Sequence, residues 1–84
     1  MAFMYILKCA DDTFYTGWTT ELEQRVNAHN SGRGARYTRC RLPVRLVYWE
    51  IQPNRSEAQK REYVLRHLGH AEKELLVEKF NIQH

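Results

Sequence analysis

The chain has 84 residues, 43% of them hydrophobic and 12% aromatic, and a formal net charge of +3. That length fits one domain, 1–84, able to bury roughly 60% of the surface its unfolded chain exposes, and the composition excludes a disordered tail. No apolar run approaches the ~18 residues of a membrane span, and the N-terminus carries no signal-peptide pattern.

In chain order, "FMYILKC" is a short apolar run rich in aromatic and β-branched residues. It is followed by the turn-forming "ADDT" and then "FYTGW", which together predict a β-hairpin. Thr20-Glu21-Leu22-Glu23 reads as a capping box opening a helix, with Leu22, Val26 and His29 along one side. That helix should stop near Asn30-Ser31-Gly32, where glycine suits the left-handed cap. "GRGARYTRCR" reads as a loop and "PVRLVYWEI" as a strand, with Pro43 at its start, where no ladder N–H is needed. Ser56-Glu57-Ala58-Gln59 is a second capping box, and its helix runs to a stop at Gly69. "AEKELLVEKF" is a third helix, amphipathic through Ala71, Leu75, Leu76 and Phe80. The order is β-β-α-β-α-α, an α+β fold in which a small three-stranded antiparallel sheet is flanked by helices.

Charge is unevenly spread along this order. From Gln24 to Trp49 the basic residues are Arg25, Arg33, Arg36, Arg39, Arg41 and Arg45, with no Asp or Glu. All are arginine, whose planar fork suits bidentate phosphate contact, whereas a merely solvated surface mixes in lysine and both signs. The pattern points to a polyanionic partner. Cys9 and Cys40 have no second close cysteine and no His-x-x-x-His nearby, which argues against zinc and for a cytoplasmic protein with reduced thiols.

Several side chains near this segment can handle protons or cations. Tyr5 and Tyr15 lie on the two hairpin strands. An odd loop centred on Ala10 would set them opposite each other on one face, and an even loop would part them. Arg25 and His29 stand at i, i+4 on the first helix, although Arg25 could equally pair with Glu21. Glu62 lies on the inward side of the second helix, where a carboxylate needs a cation or a partner, and an ion pair with Arg61 or Arg66 is a competing explanation for it.

"FMY" at Phe3–Tyr5, followed by "YTG" at Tyr15–Gly17, resembles the motif of the GIY-YIG nuclease superfamily. Arg25, His29 and Glu62 stand at the matching later positions. "LKCADDTFYTGWTTELEQRV" and "HNSGRGARYTRCR" are similar to the small stand-alone bacterial members, relatives of the catalytic module of the UvrC excision-repair endonuclease. The chain departs from the motif at Phe3-Met4, at Thr16, and at Trp18, where some nuclease members carry lysine.

The resemblance implies a divalent-metal-dependent endonuclease acting on DNA, with a DNA-repair connection. Glu62 would hold one Mg²⁺ or Mn²⁺, and Arg25 would clamp the scissile phosphate. Tyr5 or Tyr15 would be the general base, and His29 would orient or relay. Arg33, Arg36, Tyr37, Arg39 and Arg41 would hold the nucleic-acid backbone. No organic cofactor and no membrane enter this reading. The alternatives are a non-catalytic nucleic-acid-binding domain retaining the nuclease fold, for RNA as well as DNA, and a protein-interaction module with an acidic partner. No recognition-helix motif is present, and arginine loops alone carry little base information.

Overall fold

The computed structural model describes residues 1–83. Strands β1 (Ala2–Lys8) and β2 (Phe14–Thr19) form the hairpin, and β3 (Arg45–Gln52) pairs antiparallel with the other side of β1. The sheet order is therefore β2-β1-β3. Helices α1 (Leu22–Asn30) and α2 (Arg36–Arg39) precede β3, and α3 (Arg55–Arg66) and α4 (His70–Gln83) follow it. The α+β class and the antiparallel three-stranded sheet agree with the sequence. Among the described residues no helix is long and apolar enough to cross a membrane.

The unbroken apolar run of β1 follows from its central place, since both of its faces are covered. Met4 and Ile6 join Val47 and Leu65 in one cluster, completed by Leu76 and Val77 of α4. Tyr5, Leu7, Cys9 and Val44 form the other, against Leu22 and Val26 of α1. Each such aliphatic side chain contributes about 1.5–3 kcal/mol by burial. A β-bulge lies between the Ile6–Tyr48 and Leu7–Leu46 pairs, and Val47, left between them, turns into the first cluster.

Local chemistry moves several boundaries. The expected box at Thr20 does not form: Thr19 Oγ1 accepts the Glu21 N–H at 3.0 Å, and the helix starts one residue later. Asn54, not Ser56, caps α3, its side chain accepting the Glu57 N–H at 2.9 Å; asparagine after Pro53 outcompetes a serine already inside the turn. The segment expected as one loop contains the single helical turn α2. On α4 the inward side is Lys73, Leu76, Val77 and Phe80, whereas Ala71 and Leu75 are exposed. Lys73 turns inward because its ammonium lies 3.5 Å from the Arg66 carbonyl at the end of α3.

The end of α1 does follow the sequence. Gly32 has φ +80°, its N–H bonds the His29 carbonyl at 3.0 Å, and the Arg33 N–H bonds that of Ala28 at 2.9 Å. This is a Schellman termination. Beside it the Asn30 amide donates to the Val44 carbonyl at 2.9 Å and accepts the Val44 N–H at 2.7 Å. The helix carrying Arg25 and His29 is thereby fastened to the start of β3.

Candidate active site

The hairpin turn decides which residues share a face. Cys9 N–H bonds the Thr13 carbonyl at 2.9 Å, Asp12 N–H bonds that of Cys9 at 3.0 Å, and Asp12 takes φ 68°. The register is consequently centred on Asp11, pairing Tyr5 with Gly17 and Tyr15 with Leu7. The two tyrosines share a face, as the odd-loop alternative requires, but stand diagonal rather than opposed. Their ring centroids are 6.4 Å apart.

Gly17 makes this arrangement sterically feasible. A Cβ at Gly17 would lie 2.6 Å from the Tyr5 hydroxyl. The Tyr5 ring thus crosses directly over β2, and only glycine leaves it room.

His29 is the hub beneath the tyrosines and is 1% exposed. Its Nε2 lies 3.0 Å from Tyr5 Oη, and its Nδ1 lies 2.8 Å from Thr38 Oγ1. Thr38 in turn donates to the Ala35 carbonyl at 3.0 Å. Thr38 has one hydroxyl proton, so with that proton on Ala35 its oxygen accepts from Nδ1–H. Nε2 is then bare and accepts the Tyr5 O–H; the Ala35 N–H, at 3.4 Å, has the weaker claim on Nδ1. Burial, then the Arg25 charge, lowers the His29 pKa from 6.5, in keeping with a neutral ring.

Sequence reading missed Thr38 and Gly34 as the supports of His29. Thr38 is fully buried, and a Cβ on Gly34 would lie 2.2 Å from His29 Nδ1. The available signal was the small-residue run Gly34-Ala35 following closely after a helix-terminal histidine.

Arg25 and Glu62 approach the phenols from α1 and α3. Burial raises the pKa of Tyr5 most, with Tyr15 and Glu62 adding to it and Arg25 opposing. Burial likewise raises that of Tyr15, with Arg25 and Arg66 opposing and Glu62 adding. Both charges therefore act on both hydroxyls. Among the described residues Arg25 forms no ion pair with Glu21. Arg61 binds Glu50 instead of Glu62, through Nε–Oε1 at 2.7 Å and Nη2–Oε2 at 3.0 Å. Glu62, with a side chain 13% exposed, meets Arg66 Nε at 3.5 Å.

The arginine segment divides into two groups. Arg33, Arg36 and Arg39 are exposed and pair with no carboxylate among the described residues; Arg33 Nε reaches only Ser31 Oγ, at 3.0 Å. Arg41 points back to the hairpin, with Nε 3.0 Å from Asp11 Oδ2 and Nη1 2.7 Å from the Tyr37 carbonyl. Tyr37 stacks toward Tyr15, ring centroids 6.0 Å apart.

A family model, the GIY-YIG catalytic domain, matches residues 1–74, which include all these side chains. The chain belongs to the GIY-YIG family. A UPF0213 protein of Clostridium perfringens is 51% identical over 83 residues, 99% of this chain and 89% of that one. A UPF0213 protein of Halobacterium salinarum is 47% identical over 76 residues, 90% of this chain and 99% of that one. Two solution NMR structures are alike in fold: a UPF0213 protein from Bacillus halodurans (46% identity, TM-score 0.58, covering 93% of this chain and 84% of that one) and a protein from E. faecalis (42%, 0.61, 98% and 88%). Membership implies nuclease-type chemistry and a nucleic-acid partner for this GIY-YIG domain.

Proposed function

We propose that this GIY-YIG domain hydrolyses phosphodiester bonds in DNA, with Tyr15 as the proton acceptor, Arg25 on the scissile phosphate and Glu62 as the ligand of one Mg²⁺ or Mn²⁺. The observation that carries the reading is the cluster of Tyr5, Tyr15 and His29, with the phenol rings 6.4 Å apart and the Tyr15 and His29 rings 5.2 Å apart. The electrostatic influence of Arg25 and Glu62 on both phenols supports it. Tyr15 is the better proton acceptor because Tyr5 is 1% exposed and bonded to His29, whereas Tyr15 is only half-buried.

In this reading Tyr5, His29 and Thr38 form the scaffold and Tyr15 meets the attacking water. A phenol ordinarily titrates near 10 and burial pushes this one higher, so the Arg25 charge has to work together with a bound cation. Arg25 holds the phosphate; losing one such donor commonly costs ~10²–10³ in rate. The donor set fits a hard divalent ion that keeps most of its waters: one carboxylate, and among the described residues no cluster of three or more His, Cys, Asp or Glu. Such an ion, when bound, would neutralise charge developing on the phosphate and stabilise the leaving oxygen. The exposed Arg33, Arg36 and Arg39 supply sequence-independent attraction to the backbone.

The test is cleavage of branched, nicked and single-stranded DNA, with and without Mg²⁺ or Mn²⁺, by wild type, Tyr15→Phe, Tyr5→Phe and Glu62→Gln. Tyr15→Phe and Glu62→Gln should lose turnover and keep DNA affinity, while Tyr5→Phe should retain part of the rate. Equal cutting by wild type and Glu62→Gln would remove the metal assignment. One observation favours a second reading, a non-catalytic binding domain for DNA or RNA: Glu62 is already paired with Arg66 and both phenols titrate high. Absence of cutting by wild type with retained binding would select it.

A further inference from the structure

The chemistry of Arg41 is that of a strut rather than a phosphate ligand. Four interactions converge on this residue. Its Nε donates to Asp11 Oδ2 at 3.0 Å, its Nη1 donates to the Tyr37 carbonyl at 2.7 Å, and its guanidinium lies over the Tyr37 ring, 4.0 Å from the centroid. Its own carbonyl accepts the Ala10 N–H at 2.9 Å. Asp11 is itself fixed, since its Oδ1 accepts from the Thr13 hydroxyl at 2.6 Å and from the Thr13 N–H at 3.2 Å. The tip of the hairpin and the end of the arginine segment are therefore joined through one side chain.

Beyond Arg41 the chain of packed groups continues inward. Tyr37 stacks on Tyr15 with a centroid separation of 6.0 Å and an interplanar angle of 30°, and Tyr15 lies 5.2 Å from the His29 ring. Among the described residues Tyr15 has no counterpart of the hydrogen bond that holds Tyr5, so its orientation depends on the rings beside it. Tyr37 is 39% exposed and would otherwise swing freely, because a surface tyrosine has two soft torsions. The guanidinium on its face and the bond to its carbonyl hold both ends of that residue.

The geometry points to Arg41 as a positioning residue: braced on Asp11, it holds Tyr37 against Tyr15 and so sets the ring that faces substrate. This rests on the proposed role of Tyr15 for its functional meaning, but not for its structural content. Arg41, unlike Arg33, Arg36 and Arg39, should then hold no phosphate, since the Nε edge of its fork is taken by Asp11.

The experiment uses Arg41→Ala, Arg41→Lys and Asp11→Asn in the full chain. The fold should survive each, because the exposed ion pair is worth little and the Ala10–Arg41 link is made by backbone. Ring-proton signals of Tyr15, assigned by their loss in Tyr15→Phe, should move in Arg41→Ala toward their positions in Tyr37→Leu. Arg41→Lys, which keeps the charge but not the planar stack, should move them as well, and Asp11→Asn should move them less. The salt dependence of DNA binding should stay as in wild type for Arg41→Ala. Cleavage, where wild type cuts, should fall through kcat by up to about 10²-fold with KM unchanged, the consequence of a misplaced group. Tyr15 signals that stay put in Arg41→Ala would overturn the strut, and so would a slope flattened by roughly 0.9, the signature of one phosphate no longer neutralised. Failure of wild type to cut DNA would count against the nuclease reading alone, because the ring signals decide the strut without it.

Discussion

Tyr5 Oη stands 3.0 Å from His29 Nε2, and burial shifts the two groups in opposite senses, the phenol upward and the imidazole downward. Both shifts favour uncharged partners, so the pair is most comfortable as a neutral hydrogen bond. That places a pH dependence in the fold itself. The unfolded chain takes up a proton at His29 near 6.5, before the folded chain does. The contribution to stability is therefore complete above about pH 6.5 and declines as pH falls below it toward the lower folded value. Melting temperature should drop between about pH 7 and about pH 5 more steeply for wild type than for His29→Gln. Parallel profiles for the two proteins would show that His29 is not the group responsible.

Gly34 is predicted to be intolerant of even one methyl group. Its added Cβ would meet the His29 ring at 2.2 Å and the His29 Cα at 2.8 Å, and backbone cannot yield as a flexible side chain can. Overpacking of this kind costs typically about 1–3 kcal/mol. Urea unfolding of Gly34→Ala should show that loss in midpoint, and a midpoint equal to wild type would contradict the close approach.

Thr16 offers a change in the opposite direction. It is 6% exposed, and its Oγ1 has no hydrogen-bond partner among the described residues. A buried unsatisfied hydroxyl costs about 1–3 kcal/mol, and valine has nearly its shape without the polar atom. Thr16→Val should raise the melting temperature by several degrees, about 4–8 °C per kcal/mol in a domain of this size. A lower melting temperature would mean that the hydroxyl is satisfied in solution.

The exposed arginines should act through counterion release. Replacing Arg33, Arg36 and Arg39 together by Ala should flatten the plot of log affinity against log salt, by roughly 0.9 for each duplex phosphate that these side chains neutralise. All sequences should weaken alike, because backbone binding positions the protein rather than reading bases. A slope equal to that of wild type would relocate the binding surface.

Much of the architecture is legible in the sequence. The period-2 and helical patterns locate every element except α2. Spacing alone, however, leaves the partners of Tyr5, Tyr15, Arg25, His29 and Glu62 open, and it is the resemblance to the GIY-YIG motif that groups these residues from β1, β2, α1 and α3. What the sequence leaves out has a common cause. A local turn at Thr19, which takes the Glu21 N–H, and a cap at Asn54, which takes the Glu57 N–H, replace the expected boxes at Thr20 and Ser56, because neighbouring polar side chains offer the backbone alternative local hydrogen bonds. The α2 turn escapes detection because its 4 residues are too few for periodicity, and its stability comes from Thr38 bonding His29 across the fold. The choice between Arg61 and Arg66 for Glu62 depends on Glu50, a residue on β3 that takes Arg61 for itself.

The sheet order β2-β1-β3 has a consequence for the nascent chain. β1 leaves the ribosome before the other two strands, yet it lies in the middle and stays open along one edge until β3 arrives. Closing that span carries an entropic penalty of roughly 3 kcal/mol, which only the completed β1–β3 ladder and its helices offset. Glu62 arrives later still, on the helix after β3. A partly synthesised domain can thus hold the tyrosines and the arginines without the carboxylate that completes the constellation. Shortened products ending before α3 would carry the attraction for nucleic acid and none of the proposed cutting chemistry, so hydrolysis would wait until the last helices have been made.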